Sequence, residues 1–274
     1  MLTTPANSDL PRPIEVVGLP IRPFDMNGLI DAAISRAKAG TRTFACYANA
    51  HTVNLACADD RYRRALTDCD LLYCDGASVV WASRFAERRL PCRITAMDYF
   101  PVLAQRCAAD GLSMFLLGSQ DGTAEKAAAA LRTVYPNLKI VGTHTGHFDL
   151  TRSDEIITKI NAAAPDCLAV GMSSPRQELW LADHGHKINA PLHWCVGALF
   201  DYLAGRERRA PQWLCRLGLE WLFRLAMDPI GKSRRYLVGN PKFIWNTLRW
   251  RMKQSSHTQA QSINKGVSPV THRV

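Results

Sequence analysis

Between Ile14 and Gly205 the chain alternates short apolar runs with helix-compatible stretches, and this alternation constrains the fold more than any other feature. The runs are FACYANA, DLLYCDG, SMFLLGS, LKIVGTH, CLAVGMSS and LHWCVGA. Strand-like segments separated by helical ones predict an α/β fold, a Rossmann-like, mostly parallel sheet flanked by helices. Several runs end in small or turn-forming residues and lead into helical patterns, as in GTAEKAAAALRTVY and SPRQELWLADH. Ligands of such folds bind at the carboxyl ends of the strands. The expected organisation is an α/β domain over residues 1–204, a basic, aromatic-rich helical appendage over 205–253 and a disordered polar tail over 254–274. No internal repeat is visible.

Charge sets the appendage apart. From Arg206 to Lys253 twelve Lys or Arg face only Glu207, Glu220 and Asp228, a net of +9, while the whole chain carries 34 basic and 24 acidic residues, a net of +10. The remainder is therefore nearly neutral. Trp213, Trp221, Trp245 and Trp250 lie among those charges, and a solvated face would leave their large apolar area in water. Clusters such as WLCRLGLEWLFRLAM favour an anionic membrane surface over nucleic acid, because single-strand binders set isolated aromatics on a sheet or in a groove. No run approaches the roughly 18 apolar residues that span a bilayer, and MLTTPANSDLPRP lacks the basic and apolar regions of a signal peptide. A cytoplasmic protein, peripheral on the inner face of the membrane, is expected. Nine cysteines without a CxxC pair, mostly inside apolar runs, read as reduced core thiols.

Several motifs carry chemistry, each beside a plainer structural role. GSQDG, residues 118–122, follows a strand-like run and opens a helix, so its amides could meet a phosphate or simply make a turn. Asp75 stands where an apolar run gives way to Gly76; it is either a general base, which requires partial burial, or a helix cap. Ser173, Ser174, Arg176 and Gln177 reach a strand end and the first helical turn, where Gln177 could bind a sugar or complete a capping box with Ser174. Asp68 and Asp70 spell DxD but precede their strand, which favours solvated turn carboxylates over a metal site. His144 with His147, and His184 with His186, lack further ligands, so no metal is expected.

Read together, YANAHTVNLA, LLYCDGASVVWASR, RITAMDYFP, MFLLGSQDGTAEKAA, IVGTHTGHF, AVGMSSPRQELW, VGALFDYLAGRERRAPQWLCRLGLEWLFRL and RRYLVGNPKF resemble the WecG/TagA/CpsF family of bacterial glycosyltransferases, glycosyltransferase family 26, from about Ile14 to Arg251. The resemblance implies an inverting enzyme that moves a sugar from a UDP-sugar donor to a polyprenyl-diphosphate-linked saccharide in cell-surface polysaccharide biosynthesis, without a required metal or cofactor. It makes Asp75 the base that takes a proton from the acceptor hydroxyl. It places Asn49, Arg93 and Gln177 in the substrate pocket, Asp201 near the uridine ribose, His147 near the base and Gly118 in the adjoining turn. Arg224 and Arg234 would stabilise the departing diphosphate, since a planar guanidinium grips two phosphate oxygens.

The sequence departs from the family's pattern at Tyr47, where Thr is common, at Ala198, where Gly is common, and at Gly231, where a basic residue is displaced to Lys232. Donor and acceptor sugars stay open, as does a homo-oligomer built through the α/β core. Two other readings remain at this stage: a nucleic-acid-binding α/β protein using the basic appendage, and a nucleotide-dependent oxidoreductase, which would lack the GxGxxG fingerprint.

Overall fold

The computed structural model describes residues 9–265, with side chains through residue 254. Strands β1 (Ile14–Val16) and β2 (Leu19–Ile21) pair antiparallel across Val17 and Gly18, whose φ values of 51° and 76° make the two-residue turn that matches strand twist. The α/β unit continues through α1 (Met26–Lys38), β3 (Thr43–Ala48), α2 (Ala50–Ala56), α3 (Asp60–Thr67), β4 (Leu71–Cys74), α4 (Ala77–Ala82), α5 (Ala96–Asp110) and β5 (Ser113–Gly118). It is completed by α6 (Thr123–Val134), β6 (Lys139–His144), α7 (Ser153–Ala163), β7 (Cys167–Gly171), α8 (Arg176–His184), β8 (Leu192–Cys195) and α9 (Leu199–Leu203).

Six strands form one parallel sheet in the order β4-β3-β8-β7-β5-β6. Strands β4, β5, β7 and β8 are buried at every position, which is why their sequences read as unbroken apolar runs rather than alternating ones. One face packs on α1, α5, α6 and α9 through Leu29, Phe100, Leu131 and Phe200; the other packs on α2, α3, α7 and α8 through Val53, Tyr62, Ile157 and Trp180. Buried Trp194 and Tyr73 need partners for their polar tips. Trp194 Nε1 donates to Tyr73 Oη at 3.1 Å, and the Trp194 ring stacks on Tyr99 at 4.7 Å. At the carboxyl edge β5 and β7 approach so closely that a Cβ on Gly118 would sit 2.5 Å from the Gly171 carbonyl oxygen, so only glycine fits there.

The appendage comprises α10 (Gln212–Arg216), α11 (Glu220–Met227), α12 (Pro229–Ser233), a π-helical turn over Arg234–Val238 and α13 (Gly239–Lys265). It is seated on the α/β unit through α2. Phe243 and Thr247 of α13 are buried, Asn54 Nδ2 donates to Gly239 O at 2.7 Å, and Asn246 Nδ2 donates to Asn54 Oδ1 at 3.0 Å. Trp250 Nε1 reaches Glu15 Oε1 at 2.9 Å. Of the segment 254–274, expected to be a disordered tail, residues 254–265 continue α13, and 266–274 lie outside the described residues. That stretch lacks an apolar stripe, but no Gly or Pro stops the helix before Gly266.

Candidate active site

The sheet delivers six of the expected residues to a single edge. Asn49 follows β3, Asp75 follows β4, Gly118 closes β5, His147 lies beyond β6, Gln177 stands in the first turn of α8 after β7, and Asp201 sits in α9 after β8. All the strands point the same way, so all these positions lie at the carboxyl ends. Within that edge they separate into a cavity, a buried support and a neighbouring cluster.

The cavity, about 530 Å3, lies between the carboxyl edge and the appendage. Asn49, Asp75, Arg93 and Arg224 line it, as do Glu220 and Arg235. Asn49 caps α2: its Oδ1 accepts from the N–H groups of His51 and Thr52 at 3.0 and 3.1 Å, which turns its Nδ2 toward Asp75 Oδ2 at 3.1 Å. The capping role weighed for Asp75 thus falls to a different residue and a different helix, because the N-cap of α4 is Gly76 and carries no side-chain cap. Desolvation pushes the Asp75 pKa up to about 7, against the pull of the Asn49 hydrogen bond and of the Arg224 and Arg235 charges; Glu220 pushes in the same direction as burial.

Glu220 is the site residue that sequence reasoning missed. Its Oε1 accepts from Arg224 Nη2 at 3.0 Å and its Oε2 pairs with Arg93 Nη1 at 3.5 Å, so one carboxylate ties an appendage arginine to an arginine of the α/β unit. Arg93 Nη2 also donates to Cys215 O at 2.6 Å. Half-buried Arg224 lies 5.3 Å over the Tyr202 ring, and its buried Nε has no hydrogen-bond partner, leaving a donor for an anion. A clue to Glu220 was its i, i+4 spacing to Arg224 among very few acids. His51 was missed as well: it lines the cavity, and desolvation together with Arg235 lowers its pKa to about 4, so the ring is neutral at pH 7.

Two of the expected residues do not line the cavity. Arg234 is exposed and stands off the cavity, which Arg235 lines instead. Gln177 is fully buried beneath the cavity rather than lining it. Its Nε2 donates to Tyr47 Oη at 3.1 Å and Glu178 Oε1 at 2.8 Å, and its Oε1 accepts from the Gly197 N–H at 3.1 Å. The capping box with Ser174 does not form, since Ser174 Oγ donates to Glu178 Oε1 at 2.6 Å. Gln177 therefore props the wall formed by Tyr47, Ser174 and Gly197.

Gly118, Asp201 and His147 gather in the neighbouring cluster. Ser119 Oγ donates to Asp201 Oδ2 at 3.0 Å, Arg206 pairs with Asp201 at 3.7 Å, and the His147 N–H donates to Thr145 Oγ1, which itself donates to Ser119 O. Tyr202, next to Asp201 on α9, belongs to the cavity and joins the two groups. The DxD pair has structural roles: Asp68 ends α3, and Asp70 Oδ2 accepts from the Phe44 N–H at 2.9 Å. Among the described residues no group of three or more His, Cys, Asp or Glu is placed to hold a metal ion, and no helix is long and apolar enough to cross a membrane.

A family model described as Glycosyl transferase WecG/TagA/CpsF family matches residues 14–257. A protein of Staphylococcus aureus (strain MW2) named N-acetylglucosaminyldiphosphoundecaprenol N-acetyl-beta-D-mannosaminyltransferase is 30% identical over 210 residues, which cover 77% of this chain and 81% of that protein. The protein of the same name from S. aureus (strain NCTC 8325 / PS 47) is 29% identical over the same shares.

Proposed function

The chain belongs to the WecG/TagA/CpsF family of glycosyltransferases, and from that premise we propose that it moves a sugar from a UDP-sugar to a polyprenyl-diphosphate-linked saccharide, with inversion at the anomeric carbon. The observation that carries this reading is the juxtaposition, in one cavity, of a carboxylate with a pKa near 7 and the arginines Arg93, Arg224 and Arg235. A base of that pKa is half ionised at neutrality, where proton abstraction is most effective. Asp75 takes the proton of the acceptor hydroxyl as the hydroxyl oxygen bonds to the anomeric carbon. The bond from that carbon to the UDP oxygen breaks, and the electron pair leaves on the diphosphate, whose charge the guanidinium groups stabilise. An α-linked donor yields a β-linked product.

Asn49 holds the base, and Gln177 keeps the wall that faces the sugars. Asp201, with Gly118 and His147 nearby, is assigned to the nucleoside, since a carboxylate accepts hydrogen bonds from ribose hydroxyls. The appendage docks at the cytoplasmic membrane face: Trp213, Met227, Ile230 and Trp245 are exposed large apolar side chains set among basic residues, which suits an anionic lipid surface.

The relatives' names supply the first acceptor to try, N-acetylglucosaminyl diphosphate on a polyprenol. The test measures UDP release by detergent-solubilised protein with a panel of UDP-sugars, with and without that acceptor and with and without EDTA. Acceptor-dependent release that survives EDTA is expected and identifies the donor. Silence across the panel from folded protein, or release that EDTA abolishes, overturns the reading as stated.

A further inference from the structure

The strand order decides where a donor sugar lies if the transferase reading above holds. Asp75 follows β4, Asp201 and Ser119 meet beyond β8 and β5, and β3, β8 and β7 stand between β4 and β5 in the sheet. Neighbouring strands are about 4.8 Å apart, so several strand widths separate the base from the cluster assigned to the nucleoside. In-line displacement sets the anomeric carbon between Asp75 and the departing diphosphate, which puts the hexose ring over the ends of β3 and β8. The cavity floor there is Tyr47, next to last in β3, with Val196 and Gly197 after β8. That floor is rigid. Tyr47 Oη accepts from buried Gln177 Nε2 at 3.1 Å and lies 3.2 Å from Ser174 Oγ. The Ser174 hydrogen is already committed to Glu178 Oε1 at 2.6 Å, so the Tyr47 phenol is the donor of the pair. Burial, and the Glu178 charge after it, raise the Tyr47 pKa, so the phenol keeps that proton. Gly197 closes the remaining side, since a Cβ there would sit 2.7 Å from Tyr47 Oη. Held in this way, Tyr47 offers the cavity ring carbons and no free proton.

Resting on the transferase reading, we propose that Tyr47 selects the donor, admitting a UDP-hexose with a hydroxyl at C2 and excluding one with an acetamido group there. C2 is bonded to the anomeric carbon, so its substituent stays close to the line from Asp75 to the diphosphate and to the floor beneath that line. A hydroxyl fits over a fixed aromatic ring. An acetamido group has to move a side chain that Gln177, Ser174 and Gly197 hold, and its carbonyl receives no proton from Tyr47 in return. On this inference the chain differs in its donor from the relatives named for N-acetyl-beta-D-mannosaminyl transfer.

The test uses the full-length protein in detergent micelles with N-acetylglucosaminyl diphosphate on a polyprenol as acceptor. It measures kcat/KM for UDP-hexoses of both C2 configurations, each with a hydroxyl and with an acetamido group at C2. Wild type is expected to favour the best hydroxyl donor over its acetamido counterpart by at least about tenfold. Tyr47→Ala should lower that ratio by at least about tenfold, chiefly by raising kcat/KM for the acetamido donor, while Tyr47→Phe, which keeps the ring, should retain it. The groups that Tyr47→Ala releases still bind one another through Glu178, and Tyr47→Leu gives the same readout should the alanine variant melt below the assay temperature. A wild type that uses the acetamido donor as well or better overturns the role of Tyr47 and leaves the transferase standing. So does a folded alanine or leucine variant that keeps the wild-type ratio. No transfer from any donor removes the reading on which this selection rests.

Discussion

Asp75→Asn should make the protein more stable and nearly inactive, and both effects follow from the same burial. The carboxyl group has its pKa raised from 3.8 to about 7 in the folded chain. The protonated acid therefore suits the fold better than the anion, so this contribution to stability is complete below about pH 4 and disappears as the pH rises through 7. At about 1.36 kcal/mol per pH unit the cost of ionisation reaches roughly 4 kcal/mol, and water in the open cavity reduces it to about 2–4 kcal/mol. Asparagine keeps an oxygen for the Asn49 amide without the charge. At roughly 2–4 °C per kcal/mol, the variant should melt about 4–16 °C above wild type at pH 8 and close to it at pH 4. Turnover should fall at least about a hundredfold. Thermal melts of both proteins from pH 4 to pH 8, beside initial rates of UDP release, give the two readouts. Parallel melting curves across that range would refute the raised pKa, and ordinary turnover in the variant would refute the base.

Other substitutions probe the surroundings. Glu220→Gln removes a charge that raises the Asp75 pKa, so the acid limb of kcat/KM should move to lower pH; an unmoved limb in a full pH–rate profile contradicts that coupling. Arg224→Lys keeps a positive charge but loses the planar fork and the contact over Tyr202, and should lower kcat by about ten- to a hundredfold with little change in UDP-sugar KM, as single-turnover rates would reveal. Trp213→Ala combined with Ile230→Glu, two exposed positions of the appendage, should weaken sedimentation with anionic vesicles while leaving turnover in micelles intact; unchanged sedimentation assigns the membrane contact elsewhere.

The parallel sheet was legible because strands buried on both faces have no polar side to show, and FACYANA, SMFLLGS and LHWCVGA carry that signature directly. Once the strands are parallel, their ends share one edge, so Asp75, Gly118 and Gln177 could be placed there from the sequence pattern, whereas Asn49 and Asp201 rested on the family resemblance. What escaped was orientation. Gln177 and Ser174 have capping-box spacing, yet the buried Glu178 carboxylate takes the Ser174 hydroxyl and the Gln177 amide inward. Arg234 was carried over from the family resemblance alone, while the appendage arginine that lines the cavity beside Arg224 is its neighbour Arg235. Glu220 entered only as one of three acids in a basic segment, since its second partner, Arg93, is distant in the chain and meets it only when the appendage is seated.

The bond between Asn49 and Asp75 also gives proton movement a direction. Asn49 Oδ1 is committed to two backbone N–H groups, so its amide cannot flip, and the group facing Asp75 is always a donor. Asp75 Oδ2 keeps a second lone pair, but a proton there weakens its hold on the Asn49 amide, whereas Oδ1 carries no such cost. A proton taken up by Asp75 is thus favoured on Oδ1 over Oδ2. The cap of α2 thereby biases which carboxylate oxygen acts as the base.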